Sequence, residues 1–331
     1  MKIFYKSLLV IFLAIFSLQG SSQAENGSFQ CYSSIPTESM INSQKIPNDL
    51  NTVSMSIAIA EMDVLVAYDQ DSRISAAFEA GLDESDHSAI LAKVNEHIET
   101  TNTIFENSKV YLRLNLVGTH ETTYDYQFHY PGLYWYLPQD AMASLRVPDD
   151  GVMDEILLLK DQYQADFVSV LLNFGGIAGY GTHLVNPEDP FYYAPGPSDF
   201  LEPCSLQECA MSISDWQPSS LYYLFSHEMG HSLGMHHAPA YGPDPNDFYV
   251  AFPFSFAHIF TAGTPSYLDY YFKGVESETY MTVMSGTDEF IPIPYYSNPL
   301  VQYMGVPTGI FYERDNAKTV NYFRFYLENI R

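Results

Sequence analysis

The sequence predicts an α/β fold built on a mostly parallel, twisted sheet, and three observations predict it. Runs such as MDVLVAYD (62–69) and DFVSVLLNF (166–174) are apolar at nearly every position, the pattern of strands covered on both faces. Segments with helical periodicity stand between the strand-like runs. The resulting order of strand, helix, strand, helix, strand calls for crossover connections, and right-handed crossovers make the strands parallel.

Each element follows from its residues. A polar, Ser- and Asn-rich lead-in (25–54) precedes the strand at 62–69. SDHSAILAKVNEHIETTNTIFENS (85–108) places Ile90, Val94, Ile98, Thr101 and Phe105 on one face and opens with a Ser or Asp cap, so it is a long amphipathic helix. VYLRLNLVGTH (110–120) alternates as a strand, DGVMDEILLLKDQYQA (150–165) is helical, and 166–174 is a second buried strand. Beyond Gly175 the chain turns to Gly, Pro and Tyr, the texture of irregular loops, with a short strand at AMSISDW (210–216). A helix over about 219–233 carries the densest histidines, and an aromatic, Pro-punctuated tail ends in a helix near 315–328.

Residues 1–24 read as a signal peptide: Lys2 and Lys6 precede an apolar run, Ser7–Leu18, that ends in Ser22-Gln23-Ala24. The run is short of the roughly 20 residues a bilayer span needs. The expected product is secreted or periplasmic and monomeric. No membrane anchor is expected, since Cys31 stands too far from the leader for lipidation. A net charge of −26 opposes nucleic acid and anionic membranes as partners. That acidity serves solubility; calcium is the alternative use, and no residue pattern supports it. The chain has three cysteines. Cys204 and Cys209 are the natural disulfide pair, five apart in one loop, with pairing to Cys31 left open.

The stretch SHEMGHSLGMHHAP (226–239) carries the chemistry. On a helix, residues four apart share a face, so His227 and His231 form a chelating pair. Gly234 stands where the helix should stop and the chain reverse. The zinc signature HExxHxxGxxH sets its third histidine three places beyond that glycine, which selects His237 over its neighbour His236. Three neutral histidines leave a fourth zinc position for water, the arrangement of a catalytic site holding one zinc ion. Glu228, beside the first ligand, is then the general base of an amide hydrolysis without a covalent intermediate. The other histidines (His87, His97, His120, His129, His183, His258) are isolated and read as surface or core residues.

With these residues the chain resembles the metzincin zinc endopeptidases. That family has a methionine-bearing turn beneath the metal, and TYMTVMSG (279–286) offers Met284, with Met281 the weaker choice. Gly286 stands where astacin-like and serralysin-like enzymes have a fifth ligand, a tyrosine, and Ala238 replaces the Asp usual in reprolysins. MDVLVAYDQDSR, VNEHIETTNTIFENSKVYLRLNLVG, GGIAGY and PYYSNPLVQYMGVPTG look like the bacterial reprolysin-like group, which includes the peptidyl-Asp metalloendopeptidases.

The resemblance implies a metzincin-like α/β (α+β) catalytic domain over 55–331, with 25–54 as lead-in or short propeptide. It implies an antiparallel edge strand, an active-site helix, an upper subdomain over about 55–236, and an irregular lower subdomain over about 237–331. The substrate-binding edge strand falls near 210–216. Function is then zinc-dependent hydrolysis of protein or peptide substrates. The alternatives are a hydrolase of non-peptide amides or esters and a non-catalytic binding module on the same scaffold. The chain after the Met-turn (285–313) has no Lys or Arg and offers apolar surface, which suits bulky apolar residues next to the cleaved bond rather than acidic ones.

Overall fold

The computed structural model describes residues 30–31, 58–124, 138–174, 178–184, 193–194, 210–217, 223–240, 250–262 and 278–328. The expected leader, most of the lead-in, the Cys204–Cys209 pair and His129 lie outside them.

The main sheet has six strands: β1 (Gln30–Cys31), β2 (Ala60–Tyr68), β3 (Leu112–Glu121), β4 (Phe167–Leu172), β5 (Ala178–Gly181) and β8 (Met211–Asp215). Their spatial order is β1-β5-β8-β4-β2-β3. β3, β2, β4 and β8 are mutually parallel, as their apolar runs predict, and β5 runs antiparallel to β8. Two further strands, β6 (His183–Leu184) and β7 (Tyr193–Ala194), pair with each other.

Strand alternation feeds two cores. Met62, Val64 and Val66 of β2 face a cluster with Ile90, Val94, Phe105, Phe225, Met229 and Phe323. Leu65 and Ala67 face the opposite cluster with Met142, Leu145 and Ile156. The first cluster is covered by α2 (Ser88–Ser108), α5 (Leu224–Ser232) and α6 (Asn316–Leu327). The second is covered by α3 (Pro138–Arg146) and α4 (Asp154–Tyr163). All six residues of β4 are buried, which is why that strand carries no alternation.

The structure corrects three expectations. The strand near 210–216 is β8, and it is interior: it lies between β4 and β5 with all five residues buried. The antiparallel strand is β5, whose Ala-Gly-Tyr-Gly sequence has no apolar period to announce it. A helix, α1 (Gln70–Ala80), follows β2 where none was read. Its apolar face is weak, yet its ends are marked: the Asp69 side chain accepts from Ser72 N, and Gly81 closes it at φ 68°. The tail is also more regular than expected. β9 (Ile259–Ala262), β10 (Glu278–Met281) and β11 (Ile291–Pro292) form a small sheet, and β12 (Gln302–Tyr303) pairs with β13 (Val306–Pro307).

Candidate metal centre and active site

Every residue of α5 is buried, so this helix is a core element with polar groups on one face. It ends at Gly234, which takes φ 86° and donates from its N–H to His231 O at 2.9 Å. The reversed chain is then caught by its backbone. His236 N donates to Ser255 O at 2.9 Å and Ala257 N donates to His236 O at 3.0 Å. Fixing the His236 main chain this way sends the next side chain, His237, back over α5.

The Nε2 atoms of His227 and His231 lie 3.0 and 3.1 Å from His237 Nε2. The other ring nitrogens decide what these atoms carry. His227 Nδ1 donates to Val283 O at 2.7 Å, and His231 Nδ1 donates to Met235 O at 3.1 Å. A carbonyl only accepts, so Nδ1 holds the proton in both rings and Nε2 holds a lone pair. These two lone pairs face His237 Nε2, which as an N–H donor could satisfy only one of them well, whereas a cation among the three nitrogens satisfies all. The donor set therefore fits a metal ion bound by three imidazoles. The His236 ring stands outside the triad, 6.5 Å from that of His231. His258 is also outside: its ring stacks on Phe260 at 5.6 Å, and burial, then the nearby Arg314, holds its pKa down at about 4.

The turn at 282–286 underlies this centre. Val283 supplies the carbonyl that orients His227. A Cβ on Gly230 would collide with Met284 Sδ, so the sulfur packs directly on the α5 backbone between the two ligands. Gly286, at φ 74°, lies against the His237 ring, where a Cβ would stand 2.6 Å from Cγ. Met281, the last residue of β10, directly precedes this turn.

Residues 91–238 match the family described as metallo-peptidase family M12B, reprolysin-like, a span that ends one residue beyond His237. Over those residues the chain is similar to reprolysin-like metallopeptidases. Three relatives carry the name peptidyl-Asp metalloendopeptidase, two of them from strains of Stenotrophomonas maltophilia. One of these two is 23% identical over 225 residues, 67% of this chain and 44% of the relative. That of Xanthomonas campestris pv. campestris is 24% identical over 184 residues, 54% of this chain and 34% of the relative. The chain thus matches less than half the length of any of the three. A solved structure described as a chaperone–substrate complex shares the fold, with a TM-score of 0.52 at 17% identity over 82% of this chain and 36% of that one.

The site is held by contacts the sequence did not announce. Gly179 and Gly181 of β5 bring backbone against α5. A Cβ on Gly179 would stand 2.7 Å from the Glu228 carboxyl carbon, and one on Gly181 would strike the Glu228 carbonyl oxygen and lie 2.8 Å from His231 Cβ. The GGIAGYG texture was the available signal: glycine inside a strand marks a close approach. Tyr296 OH donates to Ser226 O at 2.7 Å, the Thr101 and Ser226 hydroxyls pair at 2.8 Å, and Thr182 OH donates to Ser232 Oγ at 3.0 Å. His97, read as an isolated residue, is a core residue stacked on Phe225 at 5.0 Å. These contacts anchor α5 along its length and hold its ligands to a fixed spacing.

Proposed function

We propose that the chain is an exported zinc endopeptidase in which Glu228 is the general base. The observation that carries this reading is the convergence of three imidazole nitrogens, with the tautomers of His227 and His231 fixed by backbone carbonyls and a buried carboxyl beside the first ligand. His227, His231 and His237 would hold the ion, and Met284 would form the floor beneath it. A zinc ion there supplies Lewis-acid chemistry, lowering the pKa of water toward about 7 and polarising a carbonyl. Glu228 takes a proton from the attacking water and delivers it to the leaving amine nitrogen. Gly179 leaves that carboxyl its room, and the buried surroundings keep competing solvent away. Export rests on the leader at 1–24, and protein or peptide substrates follow from the family.

Replacing Glu228 by Gln tests the reading, because the site loses its base and none of its metal ligands. Zinc content by mass spectrometry should stay at one per chain, while hydrolysis of a fluorogenic peptide library falls about 10²- to 10⁴-fold. Activity within about tenfold of wild type would remove Glu228 from the mechanism.

A further inference from the structure

The three histidines of the metal centre stand on two pieces of chain. His227 and His231 share α5, so the helix fixes their spacing, but His237 lies beyond Gly234, where the helix has ended and the chain has reversed. Their separation must be set by a third piece. Ser226, just before the first ligand, accepts through its carbonyl from Tyr296 OH at 2.7 Å. His236, just before the third, is held by Ser255 O and Ala257 N, the two sequence neighbours of Phe256, and Phe256 O accepts from Ser297 Oγ at 2.6 Å. Adjacent side chains thus reach the residue ahead of the first ligand and the support behind the third. The dipeptide has its own footing: Tyr296 N donates to Ser108 Oγ at 2.7 Å at the end of α2, while Asn316 N donates to Ser297 Oγ at 2.9 Å and Ala317 N to Ser297 O at 3.1 Å at the start of α6.

We infer that Tyr296 and Ser297 are positioning residues, a brace that sets the separation of His237 from His227 and with it the space left for the ion. This rests on the zinc peptidase reading and adds how its ligand set is held. Neither residue supplies a ligand. Both are fully buried, so each hydroxyl that is removed leaves a buried backbone group short of a bond. The histidines remain on intact elements, and the gap between the elements is what loosens. The cost therefore falls on the fit of three nitrogens to one ion.

The test uses the full chain with the metal itself as probe. Tyr296→Phe and Ser297→Ala should each weaken zinc binding by about 10- to 100-fold in a chelator competition, the usual cost of losing a partner behind the ligands. Each should also shift the visible absorption bands of the cobalt-loaded protein, which report the geometry of the nitrogens around the ion. Ser297→Thr keeps the hydroxyl and should return both readings to wild type. Leu65→Ala, in the core on the far side of the sheet, should lose stability yet keep wild-type affinity and bands. If Ser297→Ala does not fold, Tyr296→Phe carries the test, because it deletes one oxygen and keeps the ring. Wild-type affinity and bands in the folded variants would overturn the brace. So would an equal loss of affinity in Leu65→Ala, which would tie metal binding to stability rather than to spacing. The expected metal effects, in a wild-type chain that hydrolyses no peptide, would uphold the brace and sink the peptidase reading alone.

Discussion

β4 and β5 belong to one sheet, with only β8 between them, and were built on opposite principles. β4 is Phe-Val-Ser-Val-Leu-Leu, buried at every residue, and contributes by filling both cores. β5 is Ala-Gly-Tyr-Gly and contributes by what it lacks, since the missing Cβ atoms of Gly179 and Gly181 let its backbone approach Glu228 and His231. An apolar strand announces itself because packing demands a repeating pattern. A strand that serves a site gives up the pattern to gain proximity. Sequence periodicity therefore finds the scaffold readily and passes over the element that completes the cleft.

Substitutions in the two kinds of strand should separate activity from stability. Gly179→Ala drives a Cβ into the Glu228 side chain and displaces the carboxyl proposed as the base. The expected result is a loss of about 10²-fold or more in kcat/KM, the usual cost of misplacing a catalytic group by about an ångström, with thermal stability nearly unchanged. Leu65→Ala, fully buried in the core on the far side of the sheet from α5, should instead cost about 2–5 kcal/mol of unfolding free energy by denaturant titration, with kcat/KM per folded molecule at the wild-type level. If Gly179→Ala keeps activity within tenfold, or Leu65→Ala inactivates without destabilising, the contrast between the strands is wrong.

Adjacent residues supply the next contrast. His237 is in the triad, and His236 is used through its backbone, bonded to Ser255 and Ala257. His237→Ala should weaken zinc binding by more than about 100-fold in a competition titration with a chelator, beyond the usual effect of removing an outer-shell partner. His236→Ala should stay near wild type, because alanine keeps both backbone bonds. Equal losses from the two would mean that the reversal after Gly234 aims a different ring at the metal.

What was legible in the chain follows the same division. The helical spacing of His227 and His231, the stop at Gly234 and the return of His237 are local geometry, and local geometry is written in consecutive residues. The expectation of Met284 rather than Met281 came only from family resemblance, and the contact the structure shows, the Met284 sulfur against the Gly230 backbone, spans distant parts of the chain. Tyr296 bonding Ser226, Thr101 bonding Ser226 and Val283 orienting His227 are likewise contacts between residues far apart in sequence, which no local pattern carries. The missed helix α1 is a different case: Asp69 and Gly81 marked its ends, but the residues between offered too weak an apolar stripe to be read.

The core beneath the site should impose an acid limit on stability. Burial pushes the pKa of His97 down to about 4 from an unfolded value near 6.5. The folded state thus prefers the neutral ring, so this contribution is complete above pH 6.5 and is lost as pH falls toward 4, by at most about 3 kcal/mol. Burial raises Asp69 and Asp315 to about 6, and their terms have the opposite sign: present at low pH and lost as pH rises from about 4 through 6. Both aspartates persist in His97→Phe, which keeps a ring against Phe225, so comparing wild type with the variant isolates the histidine. The difference in unfolding free energy between the two proteins should shift in favour of the variant on going from pH 7.5 to pH 4.5. An unchanged difference would mean that His97 is protonated alike in the folded and unfolded chains.

The smallest expected effect concerns selectivity for the side chains beside the cleaved bond. A recess beside the centre is lined by Met281, Thr282, Val283, Ser285, Gly286, Thr287 and Pro292. Val283 and Gly286 are the residues that touch His227 and His237; the recess has room for about one water, so a side chain flanking the cleaved bond would lie against its rim. None of the lining groups is charged, and the residues that follow, Asp288 and Glu289, are acidic. The relatives are named for aspartate, and holding a carboxylate in a partly dry pocket calls for a guanidinium or ammonium group. Apolar side chains gain here from leaving water, whereas aspartate would lose hydration with no cation among the lining groups to replace it. In matched peptides differing only at the residues flanking the cleaved bond, an apolar residue should therefore raise kcat/KM about tenfold over aspartate, roughly 1.4 kcal/mol of transition-state binding. A profile led by aspartate would show that a cation from outside this lining reaches the substrate, and the recess would cease to be the element that selects it.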